Sequence, residues 1–142
     1  EVKFGFAKDA PLAEVVAGDW GEAGKNGGNL VLNAEQQHLE GDIVVDAISS
    51  VKFDMGSKVT YKGAINPNKQ GTAVVVMDKT SKWTLAADSY LESIQFEKTV
   101  EKGIKQINSK GYNIYYNPKN PANAALAGKT YPLKGGGLLL TY

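Results

Sequence analysis

Val51-Lys52-Phe53-Asp54-Met55-Gly56-Ser57-Lys58-Val59-Thr60-Tyr61 returns 24 positions later as Val75-Val76-Met77-Asp78-Lys79-Thr80-Ser81-Lys82-Trp83-Thr84-Leu85. Each copy carries an Asp, two spacers, Ser-Lys, an apolar residue, Thr and another apolar residue. A weaker copy lies upstream: Leu32-Asn33 precedes Phe53-Asp54 by 21, Leu39 precedes Tyr61 by 22, and Gly41-Asp42-Ile43 precedes Gly63-Ala64-Ile65 by 22. A period in the low twenties with apolar alternation is the signature of a β-solenoid. One rung cannot bury its apolar face alone, and stacking buries it. The expected fold is therefore mainly β: a short β-helix, a single-stranded solenoid with rungs of about 21–24 residues.

The chain has 142 residues and a net charge of +1, with acids and lysines interspersed. That length suits one domain with a sizeable core, and the near-neutral charge gives no electrostatic footprint for nucleic acid. All 16 basic residues are Lys. Lacking Arg, the chain lacks the bidentate grip on phosphate and carboxylate, which argues against phosphate recognition and Arg-dependent lyase chemistry. There is no Cys, so disulfides and thiolate metal sites are excluded. No apolar run approaches the length of a transmembrane span. Glu1 in place of Met is expected of a processed chain or an excerpt.

Val2, Phe4 and Phe6 alternate with Lys3 and Gly5 and read as a strand. Asp9 to Ala17 reads as a short helix, with Pro11 in its first turn and Leu12, Val15 and Val16 on one face. Gly18 to Asn29 is a glycine-rich loop broken by Trp20. Strands are expected over Leu30–Leu32, Leu39–Val45, Ser50–Met55, Lys58–Ile65, Ala73–Met77, Lys82–Leu85 and Tyr90–Phe96. Gly27-Gly28, Asn66-Pro67-Asn68 and Gly71 punctuate them. Hairpin dipeptides are scarce, which favours parallel stacking. Thr99–Asn108 is a helical turn or a distorted rung, because Gly103 weakens a helix by about 1 kcal/mol relative to Ala. Tyr112–Asn117 is a strand and Pro121–Ala127 a short helix ended by Gly128. Lys129–Leu133 and Leu138–Tyr142 flank Lys134-Gly135-Gly136-Gly137 as a terminal hairpin. The whole, 1–142, reads as one solenoid domain: strand and capping helix in 1–29, rungs in 30–96, and a terminal rung with its hairpin cap in 97–142.

Asn33, Asp54 and Asp78 fall at equivalent places in the repeat. Stacked about 4.8 Å apart, Asp54 and Asp78 could share a calcium ion, which takes six or more oxygens. A column of turn residues bonding their own amides is the favoured reading. Trp83 takes the place of Val59 one copy earlier; it is expected in the core with Val59, Tyr61, Leu85 and Phe53, with a sugar platform as the alternative. Tyr112, Tyr115 and Tyr116 form the candidate ligand or interface cluster, since tyrosine joins an apolar body to a polar tip. Tyr112 and Tyr116 share one strand face and Tyr115 takes the other. His38, the only histidine, reads as a solvated turn residue without an oriented partner. Glu92, Glu97 and Glu101 supply carboxylates for glycoside hydrolysis, but nothing in their spacing sets two across a cleft. Lys58 and Lys82 stack in one column on an exposed face. Gly135–Gly137 lacks the following Lys-Ser or Lys-Thr of a phosphate loop. No cofactor is implied.

Ser81-Lys82-Trp83-Thr84-Leu85-Ala86-Ala87-Asp88-Ser89-Tyr90-Leu91 resembles the end-of-solenoid motif of large secreted microbial surface proteins built from right-handed parallel β-helices. Gly111-Tyr112-Asn113-Ile114-Tyr115-Tyr116, through Gly128-Lys129-Thr130-Tyr131-Pro132-Leu133 to Gly135-Gly136-Gly137-Leu138, is similar to the segment C-terminal to that motif in these adhesin-like proteins. The resemblance covers Ser50 to Tyr142 and brings no catalytic residues. The first thirty residues depart from it. It implies a secreted, extracellular or cell-surface protein without catalytic activity: a structural or filament subunit, or an adhesin module. The alternative is a carbohydrate-binding module or polysaccharide-active β-helix with a glycan as partner. Solenoid ends expose backbone edges, so self-association through the ends or through the strand of Val2, Phe4 and Phe6 is expected.

Overall fold

The computed structural model describes residues 9–22 and 25–142. Val2, Phe4 and Phe6, the expected joining strand, lie outside them. In chain order the strands begin with β1 (Ala13–Val15), β2 (Asn29–Ala34), β3 (His38–Glu40) and β4 (Ile43–Val45). They continue with β5 (Ser50–Met55), β6 (Thr60–Lys62), β7 (Thr72–Met77), β8 (Lys82–Thr84), β9 (Ser89–Leu91) and β10 (Ser93–Phe96). After a single helical turn, α1 (Val100–Gly103), come β11 (Ile107–Asn108), β12 (Ile114–Tyr116), β13 (Tyr131–Pro132) and β14 (Leu138–Thr141). Pairing is parallel throughout, except between β13 and β14.

Three four-stranded sheets share the chain, ordered β10-β7-β5-β2, β11-β8-β6-β3 and β13-β14-β12-β9, beside the β1-β4 pair. In the first sheet Asn29 faces Ser50 and Ser50 faces Thr72. In the second Leu39 faces Tyr61, Tyr61 faces Trp83, and Trp83 faces Ile107. In the third Tyr90 faces Tyr115 and Tyr115 faces Leu140. Alternation decides which side is dry. Val51, Phe53 and Met55 of β5, and Ala73, Val75 and Met77 of β7, are buried on one face, while Lys52 points to solvent. Each large side chain so buried contributes about 1.5–3 kcal/mol.

The core aromatics are also tied at their polar ends. The Tyr61 hydroxyl donates to the Gly41 carbonyl (2.7 Å) and the Trp83 Nε1–H to the Gly63 carbonyl (2.8 Å), each reaching 20 positions back along the chain. A buried donor without an acceptor would cost about 1–3 kcal/mol, so this repeated reach keeps two bulky polar aromatics in a dry core. It also explains Gly63, where a Cβ would stand 2.3 Å from the Gly41 oxygen and 2.5 Å from the Tyr61 hydroxyl.

The strong 24-residue repeat is not the spatial register. Val51 faces Ala73 and Phe53 faces Val75, an offset of 22, and Tyr61 rather than Val59 faces Trp83. The weaker upstream copy has the true register: Leu32–Phe53, Leu39–Tyr61 and Ile43–Ile65 are all partners. Asn33 faces Asp54, but Asp54 faces Val76, so Asp78 leaves that column. Lys82 faces Thr60, and Lys58 sits in a turn at φ 56°, so these lysines do not stack.

The helix expected over Asp9–Ala17 is absent. Leu12 and Ala13 donate their amides to the Asp42 carbonyl, and β1 runs parallel to β4. Val15 is buried while Val16 is 49% exposed, as strand alternation requires. A nine-residue helix is marginal, and the β4 edge offers a ready backbone partner. Two expected strands are each two: Leu39–Val45 breaks at Gly41 (φ 118°), and Tyr90–Phe96 breaks at Glu92, with the halves in different sheets. The helical turn within Thr99–Asn108 is present, as are the short 3-10 helix Pro121–Leu126 and the hairpin of β13 and β14. Among the described residues no helix is long and apolar enough to cross a membrane.

Candidate functional site

The third sheet gathers aromatic and charged side chains on its outer face. Tyr90 and Tyr115 are ladder partners, and their rings stack at 4.8 Å with 6° between planes. Tyr142, two positions beyond Leu140, turns its ring edgewise to Tyr90 at 6.3 Å. Lys69 completes the patch. Its ammonium lies 5.4 Å from the Tyr90 ring centre and 5.2 Å from that of Tyr142, in cation–π range. The turn that carries Lys69 is held by buried Asn66, which accepts the Gln70 amide and donates to the Gly71 and Tyr90 carbonyls. Glu92 borders the patch and accepts both the Asn117 (3.0 Å) and Asn120 (2.8 Å) side-chain amides. Burial, then the Tyr115 and Asp88 charges, push the Tyr90 phenol above its ordinary pKa. Burial, then Glu92, do the same to Tyr142. Both phenols stay neutral donors at physiological pH.

This patch only partly overlaps the expected tyrosine cluster. Tyr116 is buried, its hydroxyl donating to the Lys129 carbonyl (2.6 Å), so it cannot meet a ligand. Tyr112 is exposed but lies in the turn before β12, so it does not share a strand face with Tyr116. Tyr115 is half-buried and accepts the Asn113 side-chain amide at 3.3 Å. Tyr90, Tyr142 and Lys69 were not foreseen. The 25-residue step from Tyr90 to Tyr115 was the available signal. Because Tyr90 spends its ring faces on Tyr115 and Lys69, the patch presents ring edges and hydroxyls to solvent rather than a flat platform.

Trp83 is wholly buried, which removes the sugar platform expected as its alternative. Asp54 and Asp78, out of register, cannot share a cation through one column. Asp78 instead caps its own turn, accepting the Thr80 amide (2.6 Å) and hydroxyl (2.5 Å). Those two bonds, the hydroxyl first, hold its carboxyl below the ordinary value. Glu97 accepts the Lys79 amide at 2.8 Å. Glu92 is engaged with Asn117 and Asn120, and Glu101 is exposed on α1.

His38 does have oriented partners, contrary to the solvated-turn reading. It lies in β3 with Nδ1 2.7 Å from the Thr60 hydroxyl and Nε2 3.4 Å from the Glu40 carboxylate. Register brings Thr60 there, directly opposite His38. The order hydroxyl, imidazole, carboxylate is that of a nucleophilic relay. All three side chains stand on an open strand face; the Thr60 amide is given to the Gln37 carbonyl, and the His38 and Glu40 amides lie along the free edge of β3, in the plane of the sheet rather than over its face, so no paired N–H groups converge beside the Thr60 hydroxyl as an oxyanion hole. Among the described residues no three His, Asp or Glu side chains converge on a metal position. No protein-family model, curated protein or solved structure matches the chain.

Proposed function

We propose that the chain is a short right-handed parallel β-helix serving as a secreted structural or interaction module, at a cell surface or in an extracellular filament, without catalysis. The observation that carries this reading is the parallel register itself. Chain segments 19 to 25 positions apart pair in three sheets, and their inward residues form one apolar core. Such a column is a scaffold whose surfaces and ends are available for contact. The exposed His38 relay, without a cleft or oxyanion donors, favours a binding or structural role over hydrolysis.

Assembly is proposed to run through the end formed by β1, β2 and β3, each paired on one edge only among the described residues. The Gly28 and Ala34 carbonyls receive the Ser50 and Gly56 amides. Even-numbered residues of β2 therefore face β5, and Asn29, Val31 and Asn33 turn their backbone groups outward. Such an edge accepts another strand, and Val2, Phe4 and Phe6 are the proposed donor. The near-zero net charge does little to oppose association. Sedimentation velocity tests this. The full chain is expected to assemble as its concentration rises. Val31→Pro removes one outward amide where an edge strand tolerates proline, and deletion of residues 1–8 removes the donor. Each is expected to shift the chain to monomer with unchanged circular dichroism. A parent that stays monomeric at high concentration, or variants that assemble like it, would refute the assembly.

A further inference from the structure

Trp20 is 86% exposed, the most exposed large apolar side chain among the described residues, whereas Trp83 is wholly buried. Exposure of a single side chain is ordinary on a protein surface, so the case for recognition rests on what surrounds this indole, whose apolar body and N–H suit a half-wet site. Described residues on the two sides of its turn are bonded to each other: Asn26 Oδ1 accepts the Glu22 amide and Asn26 Nδ2 donates to the Trp20 carbonyl. The Gly21 amide bonds the Gly18 carbonyl at 2.9 Å, and Lys25 pairs with Glu22 at 2.6 Å. The loop also sits hard against Ile48: a Cβ on Gly21 would stand 2.8 Å from its Cδ1, and one on Gly27 1.8 Å from its carbonyl oxygen.

Gly18, Asp19, Trp20 and Asn26 line an open cleft of about 340 Å³, within the range of roughly 300–1,000 Å³ for small-ligand sites. The Asp19 carboxylate accepts no hydrogen bond among the described residues, and Asn26 Nδ2 keeps a second N–H beyond the one given to Trp20. An apolar ring face, a charged acceptor and an amide donor thus border one space. The acids Asp19 and Glu22 disfavour anionic lipid surfaces and nucleic acid. We propose that Trp20, with Asp19 and Asn26, is a saccharide-binding site for β-1,4-linked hexose chains. Sugars of that linkage with equatorial hydroxyls present a flat face of axial C–H groups to stack on the indole, while their rim hydroxyls donate to Asp19 and accept from Asn26. The site is independent of the assembly proposed above, because neither Val31 nor the β2 edge takes part in it.

The full chain titrated with cellohexaose and with chitohexaose tests it. With only two tryptophans, one exposed and one buried, acrylamide quenching of the accessible emission reports on Trp20. The expected result is saturable protection by at least one oligosaccharide. Trp20→Ala should weaken binding, read by calorimetry, by at least about tenfold. Asp19→Asn should weaken it several-fold, and Lys119→Ala, at an exposed turn, should leave it unchanged. Both Trp20→Ala and Asp19→Asn should keep the parent circular dichroism, since the side chains are exposed. No protection by millimolar oligosaccharide, binding that survives Trp20→Ala, or protection by phosphatidylserine vesicles alone would each overturn the proposal.

Discussion

Replacing Trp83 with Ala tests the core at its largest member. Trp83 has no exposed surface, faces Tyr61 and Ile107 across the ladder, and sits with its ring centre 6.1 Å from that of Tyr61. Truncation loses the transfer energy of the indole and leaves a cavity, together about 3–5 kcal/mol. It also strips the Gly63 carbonyl of its donor. A domain of this size is stable by about 5–15 kcal/mol, so one substitution removes about a fifth or more of the total. With a urea slope of about 2 kcal/mol per molar, the unfolding midpoint followed by far-UV circular dichroism should fall by about 2 M. Trp83→Phe keeps most of the packing and loses the N–H bond, so it should cost less, about 1–3 kcal/mol. In a double-mutant cycle, Tyr61 and Trp83 should couple by about 0.5–1.5 kcal/mol, as contacting aromatics do. A Trp83→Ala midpoint within about 0.3 M of the parent, under 1 kcal/mol at that slope, would refute the burial, and additive singles would refute the Tyr61–Trp83 register.

Two further outcomes rest on buried or turn-capping polar groups. The nearby Ser49 hydroxyl, then the Ala17 (2.7 Å) and Ile48 (3.1 Å) amides that Asp46 accepts, hold its carboxyl below the ordinary value. Since the folded value lies below the unfolded one, the stabilisation is present above the ordinary carboxylate range and is lost as pH falls through the folded value. Asp46→Asn should therefore melt lower than the parent at neutral pH and converge with it in strong acid; parallel curves of Tm against pH would refute this. Asn123 is buried, accepts the Ile94 amide (3.0 Å), and donates to the Glu92 (2.9 Å) and Asn117 (2.7 Å) carbonyls. Asn123→Ala orphans all three and should cost about 2–4 kcal/mol, with faster hydrogen exchange at Ile94; an unchanged Ile94 amide would show that water replaces the side chain.

The parallel β architecture was legible because alternation and a period in the low twenties survive in a single sequence. The register was not, for a definite reason. Side chains alternate with period two, so sliding β7 by two residues against β5 keeps every apolar residue on the inner face. Offsets of 22 and 24 therefore bury the same set, and the conspicuous Asp-x-x-Ser-Lys match favoured the wrong one. Residues 56–59 join β5 to β6 and residues 78–81 join β7 to β8, four in each case, so one offset holds in both sheets; the segment 63–71 between β6 and β7 sets that offset at 22, with Met55 opposite Met77 and Tyr61 opposite Trp83. The N-terminal helix failed for a different reason. Leu12, Val15 and Val16 fit a helical face in isolation, but the β4 edge and the Asp42 carbonyl, thirty positions away, supply what a short helix lacks.

The aromatic patch shows how far a single sequence can locate a surface. Tyr112, Tyr115 and Tyr116 stand out because they are neighbours in the chain, yet proximity in a strand sends adjacent side chains to opposite faces. Only Tyr115 of β12 faces outward. Its spatial neighbours are set by the step between strands, 25 residues to Tyr90, and by a turn that brings Lys69 across from an earlier part of the chain. Trp20 was visible as an isolated aromatic in a polar loop, but its meaning rests on Asn26 six positions on and on the seat against Ile48. In both places one decisive partner is remote in sequence: Tyr90 for Tyr115, and Ile48 for the loop of Trp20. Parallel pairing hides lateral sites in this way: residues that face each other across the ladder lie one strand-to-strand step apart in sequence, and side chains adjacent along a strand point to opposite faces.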